Sequence, residues 1–131
     1  MADYSSTRSD TVVRDKTRSL IAASKVEGTN VYNRRGESLG SIYDVMIDKR
    51  SGNVAYAVMS FGGFLGMGER YHPLPWAVLD YDERQGGYVV DLDKERLQKA
   101  PSYGVNETPD WSDRDYGRRI DQYYGVPPGG I

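Results

Sequence analysis

KVEGTNVYNRRGESLGSIYDVMIDKRSGNVAYAVMSFGGFLGMGERYHPLPW, residues 25–76, is the part of the chain that speaks most plainly about structure. Val26 to Asn33 reads as a strand, turned by Arg34-Arg35-Gly36-Glu37. Leu39 to Asp48 is a second strand, with Tyr43, Val45 and Ile47 on one face and Ile42, Asp44 and Met46 on the other. Lys49-Arg50-Ser51-Gly52 supplies turn chemistry, with Gly52 free to take positive φ. Asn53 to Phe61 is a third strand, whose faces carry Val54, Tyr56 and Val58, and Ala55, Ala57, Met59 and Phe61. Apolar residues on both faces of a strand mean that both faces are covered. In a chain with so few helical segments, that pattern predicts an all-β closed barrel with something packed outside it.

Further along, Tyr71 to Leu74 resumes extended structure and Trp76 to Tyr81 is a short apolar segment. Gln85-Gly86-Gly87 is a turn before a last strand, Tyr88-Val89-Val90. Asp93 is placed to cap a short helix, Lys94 to Ala100, which Pro101 ends. The C-terminal segment carries its own start and stop signals. Ser112 is a candidate N-cap with Asp115 three residues on, Trp111 and Tyr116 sit at hydrophobic-staple positions, and Gly125 and Pro127 terminate a helix over 112–124. Tyr116, Ile120, Tyr123 and Tyr124 share one face of it. A helix this short is marginal alone in water, so that aromatic face needs a surface to dock on. Residues 1–19 are mostly Ser, Thr, Asp and Arg and bury too little to order themselves. The expected organisation is a disordered leader (1–19), a barrel domain (20–103) and a tail (104–131).

Composition excludes several chemistries. The chain has 131 residues, a net charge of −2, one histidine and no cysteine. Disulfides and thiolate metal sites are therefore ruled out, and a single histidine, His72, cannot build a multi-histidine metal site. Acidic and basic residues are interspersed, which gives no global field for nucleic acid. No window has the length and hydropathy of a membrane-spanning helix, and no secretory leader is recognisable, so the expected location is the cytoplasm. A barrel of roughly 80 residues buries only about 60–65% of its unfolded surface, so a tail or a partner has stability to add.

The motifs that could carry chemistry fail on spacing. Gly62 to Gly68 holds four glycines around Phe64, Leu65 and Met67, yet matches neither a dinucleotide fingerprint nor a P-loop, and Pro73 and Pro75 stand where a helix would follow. No G-x-S-x-G accompanies His72. Asp44 and Asp48 lie four residues apart on one strand, about 13 Å by strand rise, against the roughly 5–9.5 Å of a glycosidase pair. Asp80-Tyr81-Asp82 opens like a calcium loop, but Arg84 then takes the fifth position. No catalytic, cofactor or metal residues are assigned, and no small-molecule substrate is inferred. The eleven tyrosines and two tryptophans suit core packing and docking. Leaving Phe64, Leu65 and Met67 in water forfeits roughly 1.5–3 kcal/mol each, so that loop is expected to cover the barrel or to contact a partner.

Lys25 to Tyr32, Gly36-Glu37-Ser38-Leu39-Gly40, Asp44 to Asp48, Val54 to Val58, the Gly62–Glu69 loop and the Pro75-Trp76 pair, in that order and spacing, resemble the PRC-barrel family over about residues 20–103. The tail, with Trp111 and Tyr123-Tyr124-Gly125, looks like an extension seen on some bacterial members. The resemblance implies a small β-barrel of about six strands, a short helix after it and a C-terminal amphipathic helix. It also implies a role in contact rather than catalysis, as for related barrels in the H subunit of photosynthetic reaction centres and in a ribosome maturation factor. This sequence shows neither a membrane helix like that of the first nor an additional N-terminal domain like that of the second, so neither role is expected to transfer directly. The expected function is a non-enzymatic module that self-associates, as a homodimer, or binds a protein partner. Its expected contacts are Phe64, Leu65, Met67, Trp76, Trp111, Tyr116, Ile120, Tyr123 and Tyr124. The alternative is an RNA- or ribosome-associated factor, motivated by the maturation-factor barrel and by Arg34, Arg35 and Arg50 at turns.

Overall fold

The computed structural model describes residues 20–62 and 68–127. The 1–19 leader, the edge of the C-terminus and the tip residues Phe64, Leu65 and Met67 lie outside the described residues. Seven strands form one sheet: β1 (Asn30–Asn33), β2 (Ser38–Ile47), β3 (Val54–Gly62), β4 (Glu69–Pro75), β5 (Asp80–Asp82), β6 (Gly87–Val90) and β7 (Tyr103–Gly104). Helices α1 (Ala23–Val26), α2 (Lys94–Gln98) and α3 (Arg114–Tyr124) and a 3-10 turn at Trp76–Val78 complete the described structure. The strand order is β5-β6-β1-β2-β3-β4-β7.

The two long strands fall where the apolar runs placed them, and Gly52 takes φ 80° in the turn between them. The ladder between β2 and β3 is not regular. Ile42 pairs with Met59 and Asp44 with Val58, so Tyr43 is an extra residue; Met46 pairs with Tyr56 and Ile47 with Val54, so Ala55 is another. Bulges of this kind bend a strand and raise its twist. They curl the sheet around a core of Val31, Ile42, Ala57, Met59, Leu74, Tyr88 and Val90. Curling also brings backbones close: a Cβ at Gly40 would strike the Ser60 carbonyl. The pairing of β1 with β6 is parallel, Val31 opposite Tyr88, while every other neighbouring pair is antiparallel.

Two expectations are corrected. The small PRC-type sheet of about six strands is found, at seven strands, but it is not closed by hydrogen bonds among the described residues. Its edge strands, β5 and β7, span only three and two residues, too short to carry a further ladder. Side chains from the helices seal the core instead, with Leu97 of α2 and Val26 of α1 both in it. Val26 does not begin a strand: Ala23–Val26 make one helical turn, with Lys25 and Val26 donating to the Ala22 carbonyl, and the strand starts at Asn30. The segment after Pro75 is a 3-10 turn before it becomes strand.

Both local helix readings hold in outline. Asp93 caps α2 by accepting from the Arg96 amide. The tail helix begins at Arg114, and its N-cap is Asp113, which accepts from the Asp115 amide, rather than Ser112. Ser112 instead donates from both its amide and its hydroxyl to Asp110, and that turn moves the helix start by two residues. α3 lies on β4, on the sheet face turned away from the core. Ile120 is fully buried there, and Val58 and Pro73 are fully buried too.

Candidate functional site

The faces of β2, β3 and β4 are used differently. Inside, His72 is 2% exposed, sits edge-on to Phe61 at 5.5 Å between ring centroids, and its Nδ1 has no partner among the described residues. Burial, reinforced by Arg70, pushes its pKa down to about 4. It is a neutral core histidine, held away from solvent.

Outside, alternation puts Tyr56, Val58, Ser60, Tyr71 and Pro73 on one surface, and the bulge adds Tyr43 to it. A row of rings crosses this surface. Tyr43 stacks on Tyr71 at 4.2 Å and 14°. Tyr71 meets Tyr103 of β7 at 5.5 Å, Tyr103 meets Trp111 at 6.2 Å, and Trp111 touches Tyr56 at 5.9 Å and Tyr116 at 5.8 Å. The Trp111 end lies under the tail helix. The Tyr43 end is open, with Tyr43 51% exposed.

The charges at the open end are mostly negative. Burial first, and then neighbours that include Asp44, push the Tyr103 hydroxyl up to about 12. Tyr71 is shifted upward as well, by desolvation, Tyr43 and Glu69. Glu69 accepts from the Ser60 hydroxyl and Asp44 from the Val45 amide. Arg70 is held by Ser102 at 2.8 Å and by Glu107 at 3.9 Å. Among the described residues, no cation pairs with Asp44 or Glu69.

A second concavity surrounds Arg34, in the β1–β2 turn. A cleft of about 680 Å³ separates that turn from the β5–β6 hairpin, Asp80 to Gln85. A smaller one, about 260 Å³, lies towards α2, against Asp93 and Arg96. Arg34 stands between them, 3.6 Å from the Asp80 carboxylate and 3.8 Å from that of Asp91. The lining mixes both signs of charge, and Asp82 is used by its own turn, accepting from the Arg84 amide and the Gln85 side chain. Asp48 is likewise a turn residue, accepting from the Arg50 and Ser51 amides. Hydrogen bonds of this kind hold both carboxyls below the usual carboxylate range. Among the described residues no group of three or more histidine, aspartate or glutamate side chains could hold a metal ion, and no helix is long and apolar enough to cross a membrane.

A family model described as the PRC-barrel domain matches residues 19–97, the span of α1, strands β1 to β6 and all but the last residue of α2. The chain belongs to the PRC-barrel family. A solved structure of a 16S ribosomal RNA processing protein, RimM, from Pseudomonas aeruginosa is 24% identical over 57% of this chain, with a TM-score of 0.37. The match covers 45% of that protein, so this PRC-barrel chain spans less than half of its length. No curated protein matches the chain.

Six of the nine contact residues named from the sequence lie within the described structure, and the barrel uses all six itself. Trp76 packs edge-on to Tyr88 at 5.6 Å. Trp111, Tyr116 and Ile120 cover the outer sheet face. The Tyr123 hydroxyl donates to the Arg96 carbonyl while the Arg96 guanidinium lies over its ring at 5.6 Å. Tyr124 packs against the core. The tail helix docks on its own barrel, lying on β4 with Gly117 close to the Tyr56 hydroxyl of β3. The residues the sequence did not single out are Tyr43, Tyr71 and Tyr103. Alternation alone put Tyr43 beside Val45 and Ile47, and no residue pattern announced the bulge that turns it onto the ring row.

Proposed function

We propose that this PRC-barrel is a non-catalytic interaction module that holds a protein partner on the open part of its outer sheet face. The observation that carries the reading is the Tyr43–Tyr71 stack, an aromatic pair with Tyr43 half-exposed and Tyr71 partly buried, at the free end of a row whose other end the tail helix occupies. Rigid tyrosines offer large contact area at little entropic cost, which is why they are enriched in interfaces. The tail's aromatic face, engaged with the sheet, moves from contact surface to support. The non-catalytic part of the reading draws on the titratable groups: the carboxylates held low are bonded within turns, and the one histidine is enclosed.

The test is sedimentation velocity across the micromolar range, with affinity capture, comparing the wild-type chain with the double variant Tyr43→Ser, Tyr71→Ser. A discrete heavier species or a captured partner that the double variant loses supports the module. A strict monomer, with the same proteins captured by both chains, refutes it.

An RNA-binding reading retains Arg35 and Arg50 as motive, while Arg34 is engaged by two carboxylates. A filter-binding titration at low salt decides it, since true phosphate binding weakens steeply as salt rises.

A further inference from the structure

The partner surface has a definite chemical character, and the inference drawn from it rests on the module reading above. Tyr43 and Tyr71 present stacked rings on a bulged strand. Asp44 is next to Tyr43 in sequence, and Glu69 is on the strand that carries Tyr71. The nearest cation on that strand, Arg70, is taken up by Ser102 and Glu107. Ring faces attract cations through their quadrupole, and a guanidinium can stack on a ring while donating to a carboxylate. An anionic ligand would meet Asp44 and Glu69 with no described cation free beside them. The two carboxylates thus select one sign of charge, and the rings select a planar or alkyl-stemmed cation.

We propose that the Tyr43–Tyr71 patch, flanked by Asp44 and Glu69, docks an arginine-bearing extended segment of a partner protein. The neighbouring β7 edge limits how much of that segment can pair as a strand: β7 is two residues long, and Pro73 and Pro75 remove amide donors from the rest of β4. Recognition is therefore by side chains, and affinity is modest and salt-sensitive.

The test is a fluorescence-anisotropy titration of the full chain with a labelled nonapeptide alternating glycine and arginine. Its glutamate counterpart and a single-stranded RNA of similar length are the comparison arms. Two variants, Tyr43→Ala and Asp44→Asn, are titrated alongside, after thermal melts confirm that they fold; Tyr43 lies outside the core, so both should. The expected result is that the arginine peptide binds and the glutamate peptide does not. Each variant should weaken binding by about three- to fivefold, the scale of one exposed cation–π or ion-pair contact, and added salt should weaken it further. Absent arginine-peptide binding, binding that neither variant changes, preferential RNA binding, or self-association of the chain abolished by the same variants would each overturn the proposal. If the heavier species in sedimentation persists and depends on Tyr43 while the arginine peptide fails, the module reading stands and this one falls.

Discussion

Lowering the pH should destabilise this barrel from the inside, through one residue. His72 is 2% exposed and its pKa is pushed down to about 4 by burial, with Arg70 adding to the effect. In the unfolded chain the same imidazole titrates near its ordinary value of 6.5. Between those two values the unfolded state binds a proton that the folded state refuses, so stability falls as pH falls through the window. The folded chain keeps its full His72 contribution above pH 6.5 and has lost it by about pH 4. The difference corresponds to roughly 3 kcal/mol, a large share of the stability of a small domain. Carboxylates held low by turn hydrogen bonds, such as Asp48 and Asp82, lose their contribution toward the acid end of this window and below it. The assay is urea unfolding, followed by tryptophan fluorescence at several pH values from about 7 to 4, on the wild type and on His72→Leu. The wild type should lose roughly 3 kcal/mol more than the variant across the range. Parallel curves for the two proteins, or an imidazole resonance titrating near 6.5 in the folded state, would refute the reasoning.

Three further outcomes are expected. Ile120→Ala, at a fully buried contact of α3 with the sheet, should cost about 2–5 kcal/mol or as much as the docking of α3 is worth, whichever is less; amide exchange over Arg114–Tyr124 should rise first, and unchanged exchange would deny that Ile120 anchors the helix. Tyr124→Phe removes a buried hydroxyl that has no partner among the described residues and should stabilise the chain by up to about 1 kcal/mol, read as a higher denaturation midpoint; a loss of stability would reveal a bond to that oxygen. Gly40→Ala drives a methyl into the Ser60 carbonyl and should cost more than about 2 kcal/mol, whereas Gly52→Ala, in open space at φ 80°, should cost about 1–2 kcal/mol; equal losses at the two sites would contradict the close approach of β2 and β3.

The long strands were legible because Leu39–Asp48 and Asn53–Phe61 carry apolar side chains on both faces, and only a doubly covered sheet tolerates that. Asp93 and Gly125 were legible because helix ends depend on chemistry a few residues away. The destination of the tail was not. Periodicity shows that Tyr116, Ile120 and Tyr124 share a face, but says nothing about which surface that face meets. The one-turn helix at Ala23–Val26 was hidden for a different reason. Val26 is apolar and buried in either conformation, and the alanines before it are short enough to be overlooked beside a strand pattern. The open aromatic patch depends on a single extra residue in a ladder, and a bulge leaves no mark in the order of side-chain types.

The parallel pairing of β1 with β6 has a consequence for how the molecule comes into being. Val31 must wait for Tyr88, so a nascent chain that has already made β1 through β4, besides the β4 edge that waits for β7, still carries a bare edge on β1. The late-arriving β6 caps that edge, and β5 enters beside it with Asp80 and Asp82, charges that discourage a neighbouring copy from adding on. Until translation has passed that hairpin, the growing polypeptide is open to mispairing with a sister chain, and conditions that slow synthesis before Tyr88 should favour aggregation over assembly.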